Sequence, residues 1–321
     1  MQAETRGKTK ASMAFSPITK SLLFIAILFL VLPLGSRAAH PANTNSVLTY
    51  HNGPMLTGQV NLAIMWYGRF ARDTKNILRD FIRSLNAPRV GDPSVSEWWK
   101  TVERYQSAAH PGARSGPIRV KIAKQKTDKN YSVGKILTED FIQPLIEQAT
   151  GGASSFVTVI FAARDVSVVD TCDGRCSKHG VLGAGRASRL YVVVGSPETE
   201  CPGVCGWPFH KADYGPQTLP LQPPNGNIGA DAMVIGLSQA LAAVVTNPYN
   251  NGFFDGPLTR PLEAVTACPG MFGSGSFPGY TGKVLMSPGT GGCFNAHGVK
   301  GRKFLLPAIW SPDTRRCWTL L

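Results

Sequence analysis

Short apolar runs alternate along the chain with polar breaks marked by glycine or proline, and their spacing predicts strands and helices in turn through the first half. Val60–Tyr67 (VNLAIMWY) is an unbroken apolar run with β-branched and aromatic members, which predicts a buried strand. Asp73 can cap a helix reaching about Ala87. In it Ile77, Leu78, Phe81, Ile82 and Leu85 form one apolar stripe, and Pro88 stops it. A second helix follows Asp92-Pro93 and runs to about Gln106, with Trp98, Trp99, Val102 and Tyr105 on its buried side. Ile118–Ala123 alternates as a strand, and Thr138–Gln148 reads as a third helix ended by Gly151-Gly152. Phe156–Ala162 and Leu190–Val194 are two strong strands, with a cysteine-bearing loop displayed between them. Residues 201–227 are rich in proline and glycine and are expected to be irregular. Ile228–Thr246 is apolar on nearly all sides, the pattern of a buried helix, and Asn247-Pro248 ends it. The remainder is turn-rich, with short strands near Lys283–Met286 and Phe304–Ile309. The expected fold is therefore α/β: a single domain with a mixed β-sheet, flanking helices and a loop-rich C-terminal half.

The N-terminus changes the picture. Leu22–Leu32 is a charge-free apolar run preceded by Arg6, Lys8, Lys10 and Lys20 and followed by Pro33 and small residues at Ser36 and Ala38. That is a secretory signal peptide over residues 1–38, too short for a spanning helix, which needs about 20 apolar residues. Met13 offers a second start. No later segment reads as a membrane span. Residues 39–47 are polar and expected to be disordered, with the folded domain over 48–321. The signal region holds five basic residues and one acidic, so removing it leaves roughly +9 of the whole chain's +13. A secreted protein of that charge suits anionic surfaces such as acidic polysaccharides. Its basic residues are dispersed and no nucleic-acid signature is present.

An oxidising compartment also decides how the cysteines read. Cys172-Asp-Gly-Arg-Cys176 and Cys201-Pro-Gly-Val-Cys205 form two matched pairs, with His179 and His210 close by. In a reducing compartment they would suggest zinc, although CxxC spacing suits a zinc knuckle better. Here they are expected to be disulfides. Asp173-Gly174 and Pro202-Gly203 are turn-forming, which favours local bridges Cys172–Cys176 and Cys201–Cys205. Crossed pairing between the two units is the alternative. Cys268–Cys317 is expected to close the C-terminal region. Seven cysteines leave one over.

Candidate chemistry is sparse. The chain has no GxSxG, HExxH or phosphate-binding loop. Its histidines share no helix face, so neither a metal nor a cofactor is expected, and no catalytic residue is assigned. A composite site from His179, His210 and His297 would have to be built from loops. Trp207 and Tyr214 flank His210 in one loop, where Trp207 either stacks on a sugar or covers a small core of its own. With the histidines they make the candidate binding surface. Asn130-Tyr131-Ser132 is the glycosylation sequon.

Several blocks then assemble into a recognisable set: Tyr50-His-Asn-Gly-Pro54, Trp66-Tyr-Gly68, Ser96-Glu-Trp-Trp-Lys-Thr101, Cys201-Pro-Gly-Val-Cys-Gly-Trp-Pro-Phe-His210, Tyr214-Gly-Pro-Gln-Thr218, Thr246-Asn-Pro248 and Asn295-Ala-His-Gly298. From about Leu48 to its end the chain resembles the EXORDIUM and EXORDIUM-like, or phosphate-induced protein 1, family of plants. The resemblance implies a secreted apoplast or cell-wall protein related to growth and cell expansion, with no enzyme activity established. It also marks Cys293 as the odd thiol. The expected mode of action is binding, with an acidic wall polysaccharide or a surface receptor as partner. A hydrolase-like enzyme is the alternative. A fainter likeness links Leu237–Pro248 to the active-site helix of zincin-like proteins. Gln239, Ala240 and Ala243 stand where the ligands and base would be, which implies a degenerate zincin-like scaffold without its metal.

Overall fold

The computed structural model describes residues 47–321, apart from 114, 174 and 216 and the side chain of 186. The expected signal peptide and the polar stretch as far as 46 lie outside the described residues. Val47, counted with that stretch from the sequence, packs half-buried on the core.

The frame is a five-stranded sheet. Strand β1 (Gln59–Tyr67) is followed by helices α1 (Arg72–Ser84) and α2 (Val95–Glu103), then by β2 (Arg119–Asp128), α3 (Ile142–Thr150) and β3 (Val157–Ala162). Next come β4 (Ser177–Leu182), β5 (Arg189–Val194) and the long helix α4 (Ile228–Thr246). The strand order is β2-β1-β3-β5-β4, all parallel except β4.

Parallel strands covered on both faces read as continuous apolar runs, and each face has its own core here. Leu62, Ile64, Trp66, Val159, Phe161, Val192 and Val194 meet α1, α2 and α4 on one side. Ala63, Met65, Tyr67, Ile160, Ala162, Tyr191 and Val193 meet α3 on the other. This clean alternation fixes strand register, because a one-residue slip would exchange the two sets.

Two local expectations need correcting. Asp73 does not cap α1. The N-cap is Ala71, without a side-chain bond, and Asp73 lies in the first turn, where it accepts from Arg302 at 3.1 Å. The helix expected to run on to Gln106 breaks at Arg104, and a short helix, Tyr105–Ala109, follows it. Ser94 caps α2 instead, accepting from the Glu97 amide. The expectation that no segment after residue 38 is apolar enough to span a membrane is also too strict. Ile228–Thr246 is long and apolar enough by length and composition, and 83% of that stretch is buried against the sheet and C-terminal loops.

Within the five-stranded sheet, β4 is the strand that carries no sequence signal. Its sequence, Ser-Lys-His-Gly-Val-Leu, has no apolar alternation, because an antiparallel edge strand needs to bury little. Cys176 immediately precedes it, so the first cysteine loop leads directly into the sheet. The local bridges favoured by the turn residues do not form. The disulfides are Cys172–Cys201 and Cys176–Cys205, a crossed ladder, with Cys268–Cys317 as expected and Cys293 free. Pro202–Cys205 is a helical turn. Residues four apart on a turn face the same way, so Cys201 and Cys205 both present their sulfurs to the loop opposite. The ladder staples the entry of β4 to the connection that leaves β5.

The C-terminal half is held by buried amides rather than by long strands. Asn295 is 1% exposed. It donates to the Phe272 and Leu306 carbonyls and accepts from the Leu306 amide. Asn247, at the end of α4, accepts from the Gly252 amide. At the other end of α4, Asn227 caps the helix and buried Asp231 accepts two bonds from Asn225. Burial pushes the Asp231 carboxyl up from 3.8 to about 6, against the pull of the Asn225 bonds. Between those values the folded chain binds a proton that the unfolded chain has released. Stability from this group is therefore present below about pH 4, falls by about 3 kcal/mol as pH rises to about 6, and is flat above. Urea titrations across that window are expected to show the slope in the parent chain and lose it in Asp231→Asn.

Candidate functional site

A cleft of about 350 Å³ runs along the outer side of β4. Residues Ser177 to Val181 form one wall and α4 contributes Gln239, Ala240 and Ala243. The loop bearing Pro261 and Glu263 closes the far side. Tyr191 and Glu139 reach the cleft from the opposite face of the sheet. Burial, with the Glu139 charge added, pushes the Tyr191 hydroxyl up to about 12.

At its centre His179 Nε2 lies 2.8 Å from Glu263 Oε1, and Asn247 Nδ2 donates to the same oxygen at 2.8 Å. The side chains of His179 and Glu263 are 6% and 9% exposed. A carboxylate only accepts, so His179 donates through Nε2 and its neutral form carries a bare Nδ1. That nitrogen is buried and has no partner among the described residues. Arg175 also lines the cleft. Burial pulls its guanidinium down from the ordinary arginine value, with Glu263 opposing, and no carboxylate lies within salt-bridge range of it among the described residues.

The other candidates sit elsewhere. His210 is exposed and touches the carbonyl of Lys211. His297 packs beside Gly91 and its amide donates to Pro93. The described residues hold no group of three His, Cys, Asp or Glu side chains able to share a metal ion. The three histidines thus do not form the composite metal site considered from sequence. Trp207 is half-buried on Phe272, in a satellite core with Phe209, Ala232 and Leu305, so it covers a small core as the second of its two sequence readings had it. Tyr214 is 57% exposed. Asn130 is exposed in the turn after β2, where Asp128 accepts from its amide.

A second feature circles the opposite sheet edge. Lys75 and Arg79, one helical turn apart on α1, lie over the Trp66 ring at 5.0 and 5.4 Å. Gln125 and Thr127 of β2 anchor them, accepting from Arg79 Nε and Lys75 Nζ. A register shift in β2 then turns Lys124 and Lys126 to the other face of the sheet. There Lys124 stacks over Phe156 at 4.9 Å and donates to the Thr150 carbonyl. Among the described residues none of these four cations has a carboxylate in salt-bridge range. Burial first, then like charge nearby, pulls the Lys75 and Arg79 values down. Lysines do blunt a sheet edge against aggregation. Crowding two cations over one indole goes beyond that need.

Neither Glu263 nor Asn247 gave a sequence signal as part of a site. They follow the buried helix at loop positions, and only the fold brings them to His179. Nor did the cations, which lie on separate elements.

Comparison with known proteins covers nearly the whole described chain. A family model described as the phosphate-induced protein 1 conserved region matches residues 48–320. Protein EXORDIUM-like 2 of Arabidopsis thaliana is 46% identical over 283 residues, 86% of this chain and 90% of that protein. Protein EXORDIUM of the same plant is 41% identical over 312 residues, 95% and 99% of the two chains. Protein PHOSPHATE-INDUCED 1 of Nicotiana tabacum is 40% identical over 309 residues, 93% and 97%. No solved structure matches.

Proposed function

The chain belongs to the phosphate-induced protein 1 (EXORDIUM) family, and from that premise we propose that it is a secreted, growth-related protein of the apoplast or cell wall that acts by binding. Its partner is an acidic wall polysaccharide, held at the cation row around β2. The observation that carries this reading is that row: Lys75, Arg79, Lys124 and Lys126, without carboxylate partners among the described residues and backed by Trp66 and Phe156. Unneutralised cations at a sheet edge suit a carboxylate-bearing sugar chain, whose charge meets them; Trp66, 1% exposed, lies beneath Lys75 and Arg79 and holds them in place. Three disulfides support export to an oxidising compartment.

The cleft supports binding over hydrolysis. Gln239, Ala240 and Ala243 all line it from α4, so the positions matched to a zincin-like helix face one space and offer an amide and two methyl groups. A zinc hydrolase needs imidazole or carboxylate ligands and a base there. We read α4 as the helix of a metallopeptidase-like scaffold that has lost them. A hydrolase-like role built on other residues has one observation in its favour, the His179–Glu263 pair.

Expression of the full chain with an epitope tag in plant cells tests the main reading. The protein is expected in the wall fraction and is expected to leave it in high salt, because screening weakens exposed charge contacts. Recovery from the cytosol, or wall retention indifferent to salt, would contradict it.

A further inference from the structure

The cleft beside β4 is distinct from the cation row, and its shape narrows what it can hold. β4 ends the sheet and pairs only with β5. Among the described residues its backbone groups bond to nothing outside that pairing. The alternate amides and carbonyls that point away from β5 are thus left open, as on any unprotected sheet edge. Most edges are blunted by charge or covered by a loop. This one borders a groove instead.

The groove takes residues from both faces of the sheet: Gln239 and Ala243 from one side, Tyr191 and Glu139 from the other. A pocket on one face would show residues of that face alone. Lining from both is what remains where the next strand would lie. Small side chains on α4 leave the room. Gly180 also keeps the wall flat, since a Cβ there would come within 2.5 Å of the Tyr191 hydroxyl.

The lining carries two cations, Arg175 and Lys178, and two carboxylates, Glu139 and Glu263, of which Glu263 is already engaged by His179 and Asn247; the cations and one unmet polar atom indicate the occupant. Arg175, two residues before β4, is half-buried, reaches the Pro261 carbonyl at 3.5 Å and has no carboxylate within salt-bridge range among the described residues. Lys178 follows it, its amine bonded to the Val169 carbonyl and 3.8 Å from Asp170. His179 Nδ1 is buried without a partner. A buried polar atom left unmet in the free chain is the exception in folded proteins, and the wall that carries it faces the groove.

We propose that the groove binds an extended, acidic peptide segment as a sixth strand on β4, with a carboxylate of that segment on Arg175 and Lys178. Backbone pairing supplies affinity, and the two cations choose among sequences. The pairing depends on β4 staying in place, which the Cys176–Cys205 bridge secures.

An immobilised array of short extended peptides graded in aspartate content, probed with the full secreted chain, tests this. Acidic peptides are expected to be retained. N-methylation of alternate backbone amides is expected to abolish retention in one phase and spare it in the other, a signature of strand pairing that a side-chain contact would not give. Arg175→Glu with Lys178→Glu is expected to weaken the acidic peptides tenfold or more and to favour lysine-bearing ones. Unfolding curves confirm that the variant is folded, and the N-methyl series needs no variant. Retention of no peptide, indifference to N-methylation, or displacement of bound peptide by oligogalacturonate would each overturn the proposal. The last would put a saccharide in the groove.

Discussion

Replacing Cys268 and Cys317 by serine is expected to cost about 4 kcal/mol of folding stability, lowering the melting temperature by roughly 7 °C. The bridge spans 49 residues of a region whose paired strands are two or three residues long. Without it the unfolded chain regains the entropy of a long open loop. The last strand, Arg316–Trp318, keeps only its pairing with Ile309–Ser311. The crossed ladder is expected to behave differently. Removing Cys172–Cys201 alone leaves Cys176–Cys205, which closes a loop of the same 29-residue separation displaced by four residues. The loss should therefore be well under the roughly 3–4 kcal/mol of an isolated bridge of that size. Equal losses at all three bridges, in thermal unfolding without reductant, would argue against the ladder.

Trp98→Ala is expected to cost about 3–5 kcal/mol. Trp98 is 1% exposed on α2 and donates from Nε1 to the Pro307 carbonyl at 2.8 Å. The substitution empties an indole-sized space and leaves that carbonyl without its donor. Trp98→Phe keeps most of the ring and loses the bond, so about 1–2 kcal/mol is expected from the unmet carbonyl and the smaller side chain. Lys100→Ala, on the exposed side of the same helix, should stay within about 0.5 kcal/mol. Urea unfolding measures all three. The midpoint should move in the first two with little change of slope, since the surface exposed on unfolding hardly differs.

How far the fold was legible follows from where each element lies. The three parallel inner strands β1, β3 and β5 and the buried helix α4 announced themselves, because burial on every side demands apolar residues at every position. The amphipathic helix α1 did so through its stripe, although its cap did not. Strand β4 was hidden because an edge strand beside a groove needs neither alternation nor bulk. The disulfide ladder matches the alternative pairing and not the favoured one, because turn residues describe each cysteine pair alone, whereas the pairing depends on a contact between two segments. The candidate site was least legible. His179 stood out as a residue type, but its meaning depends on Glu263 and Asn247, which a buried helix and a loop deliver from far along the chain. The cations read as dispersed because α1 and β2 are separate in sequence and adjacent only once β2 pairs with β1.

The central claim is that the row of Lys75, Arg79, Lys124 and Lys126 binds an acidic polysaccharide. Calorimetric titration of the full chain with oligogalacturonate, repeated over a range of salt, tests it most directly. Binding is expected to weaken steadily with salt, and a Lys75→Glu, Arg79→Glu double variant is expected to be folded yet to bind tenfold or more weakly with a shallower salt dependence. Binding of equal strength and equal salt dependence in that variant, or none in the parent chain, would contradict it.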